Sequence, residues 1–217
     1  MMITDAAVAG SSLVSFASQI TARERAAVTY ALRYAQQAAN DLYHQHKGGD
    51  WHDYFRRQLR FLGWDAQPPT HPYDPDRRRH QVLEAALDTL REQGPRFMDT
   101  AAAGVEALKA DEGGLVLFEG YARRHQQGMF QLLPCAQGRA ASGIALIDML
   151  VYHEELDMRR AGQGCLITDH PPPRITCRLS LVRFNARAFE TTHMPKIVSR
   201  FAKPWEDGEY MRLLGQP

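Results

Sequence analysis

The chain lacks most of the features by which a sequence declares its chemistry. Its three cysteines, Cys135, Cys165 and Cys177, are widely spaced and form no CxxC pair, which excludes a disulfide framework and a zinc knuckle and fits a reducing compartment. No uninterrupted apolar run reaches the roughly 20 residues that span a bilayer, so no stable membrane insertion is expected. Met1 to Ser18 holds Asp5 and no Lys or Arg, so the positive start of a secretory signal is missing. The expected location is the cytoplasm, or the exterior by a route without a cleavable signal peptide. Charge of one sign is absent too: Lys and Arg number 26 against 25 Asp and Glu, and the halves on either side of residue 110 are equally balanced. Phosphate neutralisation needs clustered cations, so nucleic acid is disfavoured as a partner. There is no GxSxG elbow and no P-loop, and Gly162-Gln163-Gly164 lacks the third glycine of a dinucleotide fingerprint.

What the chain does contain is an ordinary globular composition, 44% apolar and 24% charged over 217 residues, sufficient for one buried core. Its apolar rhythm changes near Gly113-Gly114. Before that pair, apolar residues recur at helical spacing. Thr21 and Glu24 form a capping box ahead of Ala27, Tyr30, Ala31, Tyr34, Ala38 and Leu42. Asp50 caps a second helix through Trp51, Phe55, Leu59 and Leu62, stopped by Gly63. A third runs from Asp76 to Gln93 and a fourth from Pro95 to Leu108, the proline suiting a first helical position. Four prolines make residues 67–75 a loop.

After the glycine pair, runs of period two predict strands over residues 115–122, 129–136, 143–153 and 174–189. The last is the clearest, with Ile175, Cys177, Leu179 and Leu181 on one face. The expected architecture is α+β: a flexible arm over residues 1–20, then a single domain. Its helical part, residues 21–112, packs on a four-stranded antiparallel meander within residues 113–217, closed by a short helix from Pro195. The long segment 157–173 is expected to be disordered or to contact a partner.

Candidate chemistry is sparse. The densest histidine group is His44, His46 and His52, with Asp50 and Asp53 nearby, but His44 and His46 stand about 200° apart around a helix and cannot share an ion, so no metal site and no cofactor are expected. On a strand, His153 and Glu155 share a face, and Glu119 or His125 from neighbouring strands completes a candidate acid-base set. Cross-strand charge pairs on a solvated sheet face offer the plainer alternative. The aromatic group Trp51, Tyr54, Phe55, Phe61 and Trp64 reads as core, or as a partner-binding patch continued by Arg77 and Arg78. The basic run at Arg77 reads equally as the solvated first turn of a helix.

The segments Trp51-His52-Asp53-Tyr54 and Leu62-Gly63-Trp64, followed by a helix, a glycine-bounded break and a four-strand meander, resemble a family of small accessory proteins. These are encoded alongside bacterial α-helical pore-forming toxins of the motility-associated killing factor type. The resemblance implies a non-enzymatic α+β protein working with a toxin or virulence system, with a protein partner, and it brings no catalytic residues. The expectation is therefore a binding or accessory protein. The alternative is a small-molecule-binding or hydrolytic enzyme with a pocket between sheet and helices.

Overall fold

Residues 6–45, 49–67, 81–123, 128–201 and 210–214 are described by a computed structural model. Strands β1 (Ala6–Ala9) and β2 (Ser12–Phe16) form a hairpin around Gly10, whose φ of 56° suits a two-residue turn. The helices α1 (Ala22–Gln45) and α2 (Trp51–Phe61) follow, then the two-residue strand β3 (Trp64–Asp65). Next come α3 (Val82–Gln93), α4 (Met98–Ala110) and α5 (Glu112–Ala122). The long strands β4 (Gly128–Arg139), β5 (Ala145–Leu156) and β6 (Arg174–Phe184) precede α6 (Ala186–Thr192), α7 (Met194–Phe201) and β7 (Met211–Leu213).

The seven strands make one mixed sheet in the order β3-β6-β5-β4-β2-β1-β7. Every pairing is antiparallel except β2 with β4, which is parallel. Alternate side chains of the long strands enter two separate cores. Ile147, Met149 and Val151 pack with α1, α2, α6 and α7, while Leu150, Tyr152 and Leu156 pack with α3, α4 and α5. The sheet is thus the middle of three layers, which explains why its central strands are buried on both faces.

This overturns the four-stranded antiparallel meander, although the α+β class stands. Three differences have separate causes. Residues 6–16 form two buried strands beside β4 instead of a flexible arm. Their small side chains are a packing device, since a Cβ on Gly104 of α4 would come within 2.9 Å of Ser15 Cβ. Residues 115–122, expected as a strand, are helical. Asp111 caps α5 by accepting from the Gly114 N–H at 2.8 Å, and the buried Gly114, Phe118 and Ala122 recur at four-residue steps. The apolar run Leu115 to Phe118 is ambiguous in period, and the cap decides it. Finally, the single short C-terminal helix is two helices and a strand. Asn185 ends β6 and caps α6, accepting from the Ala188 N–H at 3.0 Å.

Elsewhere the local signals correspond to what forms. The Thr21–Glu24 capping box is made reciprocally, at 2.9 and 3.3 Å. Asp50 caps α2 through the Asp53 N–H at 3.0 Å.

Candidate functional site

Cross-strand register lines up Ser12, Gln131, His153 and Arg178 as one row across β2, β4, β5 and β6, on the face covered by α1 and α2. A polar row is costly there unless it is satisfied. At one end it is: Tyr210 Oη donates to Gln36 Oε1 (2.7 Å), Gln36 Nε2 to Ser12 Oγ (2.6 Å), and Ser12 Oγ to Gln131 Oε1 (2.8 Å). In the middle it is not. Gln131 Nε2 and His153 Nδ1 are buried without a hydrogen-bond partner among the described residues.

The cap at Asp50 directs the first turn of α2 onto this row. Trp51 Nε1 donates to Asn40 Oδ1 at 2.7 Å, and the indole stacks on Phe55 and, at 6.0 Å between centroids, on His153. The His52 ring lies 4.7 Å from that of His153. Burial, then the neighbouring His153 and Arg178, hold His52 well below the usual imidazole range. His153 Nε2 stands 3.4 Å from Glu155 Oε1. The tautomer serving that contact carries its proton on Nε2 and leaves Nδ1 as an acceptor.

Glu155 also opens onto a cleft of about 220 Å³, lined by Tyr43, Gly49, Asp50, Trp51, Met129, Glu155 and Arg178. Asp50 and Arg178 close an ion pair across it, with contacts of 2.8 Å to both carboxylate oxygens. Burial raises the Asp50 carboxyl, but its hydrogen bonds from Arg178 and the Asp53 N–H outweigh that and hold it below the usual range. A larger groove of about 830 Å³ runs between the start of α1, the start of β5 and α6. In its lining Arg23 donates to Glu190 at 2.8 Å, and it holds none of the candidate side chains.

The candidate acid-base residues separate. His153 and Glu155 meet as period two predicts, whereas Glu119 lies on α5, in the layer covering the other sheet face. There its carboxylate accepts from the N–H groups of Gly164 (2.7 Å) and Leu166 (3.1 Å). It staples the segment 157–173 to α5, with Cys165 and Leu166 buried beneath. Trp51 and Trp64 are buried and Tyr54 half-buried, so their rings serve the core, and Trp64 stacks on Phe184 at 4.2 Å. Phe61 is the ring left in solvent, 61% exposed, against Tyr34 and His193. Arg77, Arg78, His46 and His125 lie outside the described residues.

Sequence reasoning missed Gln131 and weighed His52 only as a metal ligand beside His44 and His46, although each carries a signal of its place on this row. Gln131 interrupts an apolar face between Met129 and Leu133, and His52 shares the helical stripe of Phe55 and Leu59. The three cysteines are buried and form no disulfide with one another, and burial pushes the Cys135 and Cys165 thiols up, away from nucleophilic use. On the opposite face, Tyr152 Oη donates to Glu154 Oε2, and Arg174 Nε reaches Glu154 Oε1 at 3.1 Å. Tyr152 and Glu154 are fully buried here, and the Arg174 side chain keeps little exposure.

Among the described residues no group of three His, Cys, Asp or Glu is placed to hold a metal ion. Among them, too, no helix is long and apolar enough to cross a membrane. No family model matches the chain, and no curated protein matches it. A solved structure, that of the Evf virulence factor, is similar over 93% of this chain and 84% of that one, at 11% identity and a TM-score of 0.38. Likeness of that degree carries no argument about function.

Proposed function

We propose that this protein binds a small organic molecule in the cleft between α2 and strands β4 to β6, with Glu155 in its lining and the buried His153 behind that carboxylate. The observation that carries the reading is the contact at 3.4 Å between a fully buried imidazole and a carboxylate that reaches the cleft. A cavity with apolar walls and a few convergent polar groups is the usual form of a ligand site. The pair supplies a hydrogen-bonding anchor, and it supports proton transfer where a ligand presents an ionisable hydroxyl or amine. Glu119 has no part in it.

A fragment screen by ligand-observed NMR tests this reading. Binders are expected to shift the Trp51 indole N–H signal and to lose most of their affinity in Glu155→Gln, while the variant keeps the wild-type circular dichroism. If no fragment perturbs Trp51, or if every binder ignores Glu155→Gln, the reading fails.

A second reading, the accessory role beside a pore-forming toxin, is favoured by Phe61, an exposed ring stacked on Tyr34 at 6.4 Å. It expects a stable complex with a gene product encoded beside this one, weakened by Phe61→Glu. Co-expression that yields no such complex removes it.

A further inference from the structure

We infer that the ligand of this cleft is an organic cation, an amine on a compact apolar body; the inference rests on the ligand-binding reading above. The charges lining the cleft select for it. Asp50 and Arg178 neutralise each other across the cleft through two contacts of 2.8 Å. Glu155 has no such match. Its ion-pair neighbour among the described residues is His153, which is fully buried and does not line the cleft. Within the described lining, Glu155 is therefore a carboxylate without a cationic partner.

Its surroundings strengthen that charge. Met129 and Thr176 flank Glu155 in register on β4 and β6, and the Glu155 side chain keeps 19% of its exposure. Walls formed by Trp51 and Met129 lower the local dielectric, so a cation placed against Glu155 is attracted more than it would be in open water. An anion meets the reverse: the Arg178 guanidinium is already engaged and Glu155 repels it. The volume of about 220 Å³ lies below the range of drug-sized sites and suits a small metabolite-like amine.

The test uses the full chain and three probes of one shape: tyramine, tyrosol and 4-hydroxyphenylacetate, which end in an ammonium, a hydroxyl and a carboxylate. Titrations followed at the Trp51 indole are expected to show tyramine binding at least about tenfold tighter than tyrosol, and the acid not binding. Tyramine affinity is expected to fall by about tenfold in Glu155→Gln and to weaken as salt rises in the unaltered protein. The salt series needs no variant to fold. Alcohol or acid binding at the cleft as tightly as the amine overturns the cation and leaves the cleft a ligand site. If neither these probes nor a charge-diverse fragment set touches Trp51, both conclusions fall.

Discussion

Glu154 is buried beside Tyr152 and Arg174, and its position is tolerable because the guanidinium answers its charge. Burial and the charge of Glu154 push the Tyr152 phenol well above its usual range. Removing one member of a buried pair leaves an uncompensated ion, so Arg174→Ala should cost about 3–5 kcal/mol in urea unfolding. Arg174→Met combined with Glu154→Gln should recover part of that loss, because no charge is then stranded. His52 gives a pH dependence of definite sign. Unfolded, its imidazole titrates near 6.5; folded, it resists protonation. The unfolded chain therefore binds the extra proton, and the stabilisation from His52 is complete above about pH 6.5 and lost as pH falls from there toward the folded value. The slope is up to about 1.4 kcal/mol per pH unit. Urea midpoints at pH 7.5 and 5.5 should differ more in the unaltered protein than in His52→Leu, and equal differences would refute the assignment.

The β1–β2 hairpin is the element whose role departs furthest from its composition. Val8 and Val14 are fully buried and Leu13 nearly so, and β2 joins β4 in a parallel ladder, the one such pairing among the described residues. Amide exchange at Val14 is expected to be as slow as at Met149 in β5; rapid exchange across residues 6–16 would mean a peripheral hairpin. The close approach of α4 to β2 adds a second expectation. Gly104→Val sets branched carbon against Ser15, where even a Cβ falls at 2.9 Å, and should destabilise by about 1–3 kcal/mol. The segment 157–173 is tied down by Glu119 and by the Leu83 N–H, which donates to the Leu166 carbonyl at 3.2 Å. Glu119→Gln, by weakening the acceptor, should speed proteolysis within that segment before it affects the rest.

In the molecule as a whole, the two cores share their strands, so neither can be lost alone. Leu132 and Leu133 are neighbours in sequence and belong to opposite cores. Trp51 and Trp64 lie in the α1/α2 core, so their fluorescence follows that side, while far-UV circular dichroism follows both. Their denaturation midpoints should coincide, and separated midpoints would show that the layers unfold independently. The cleft depends on the same sharing, because its walls come from α1, α2 and three strands.

Caps, helical spacing and the period-two runs of β4, β5 and β6 are inscribed locally, since each is settled within a few residues by sterics and backbone hydrogen bonding. That is why α1 to α4 and the shared face of His153 and Glu155 are readable from the chain alone. The parallel pairing of Ser12 with Gln131, the placing of Glu119 behind the sheet and the approach of His52 to His153 are not. They join residues 45 to 119 positions apart or on opposite layers, and no local period encodes which distant strand a short, small-residue hairpin will join. Amino-acid order determined α1 to α4, the three long strands and the shared face of His153 and Glu155, but neither the β1–β2 hairpin nor α5. The packing of two helical layers on a common sheet decided which polar groups are buried together, because only there does the loss of water force them to find partners.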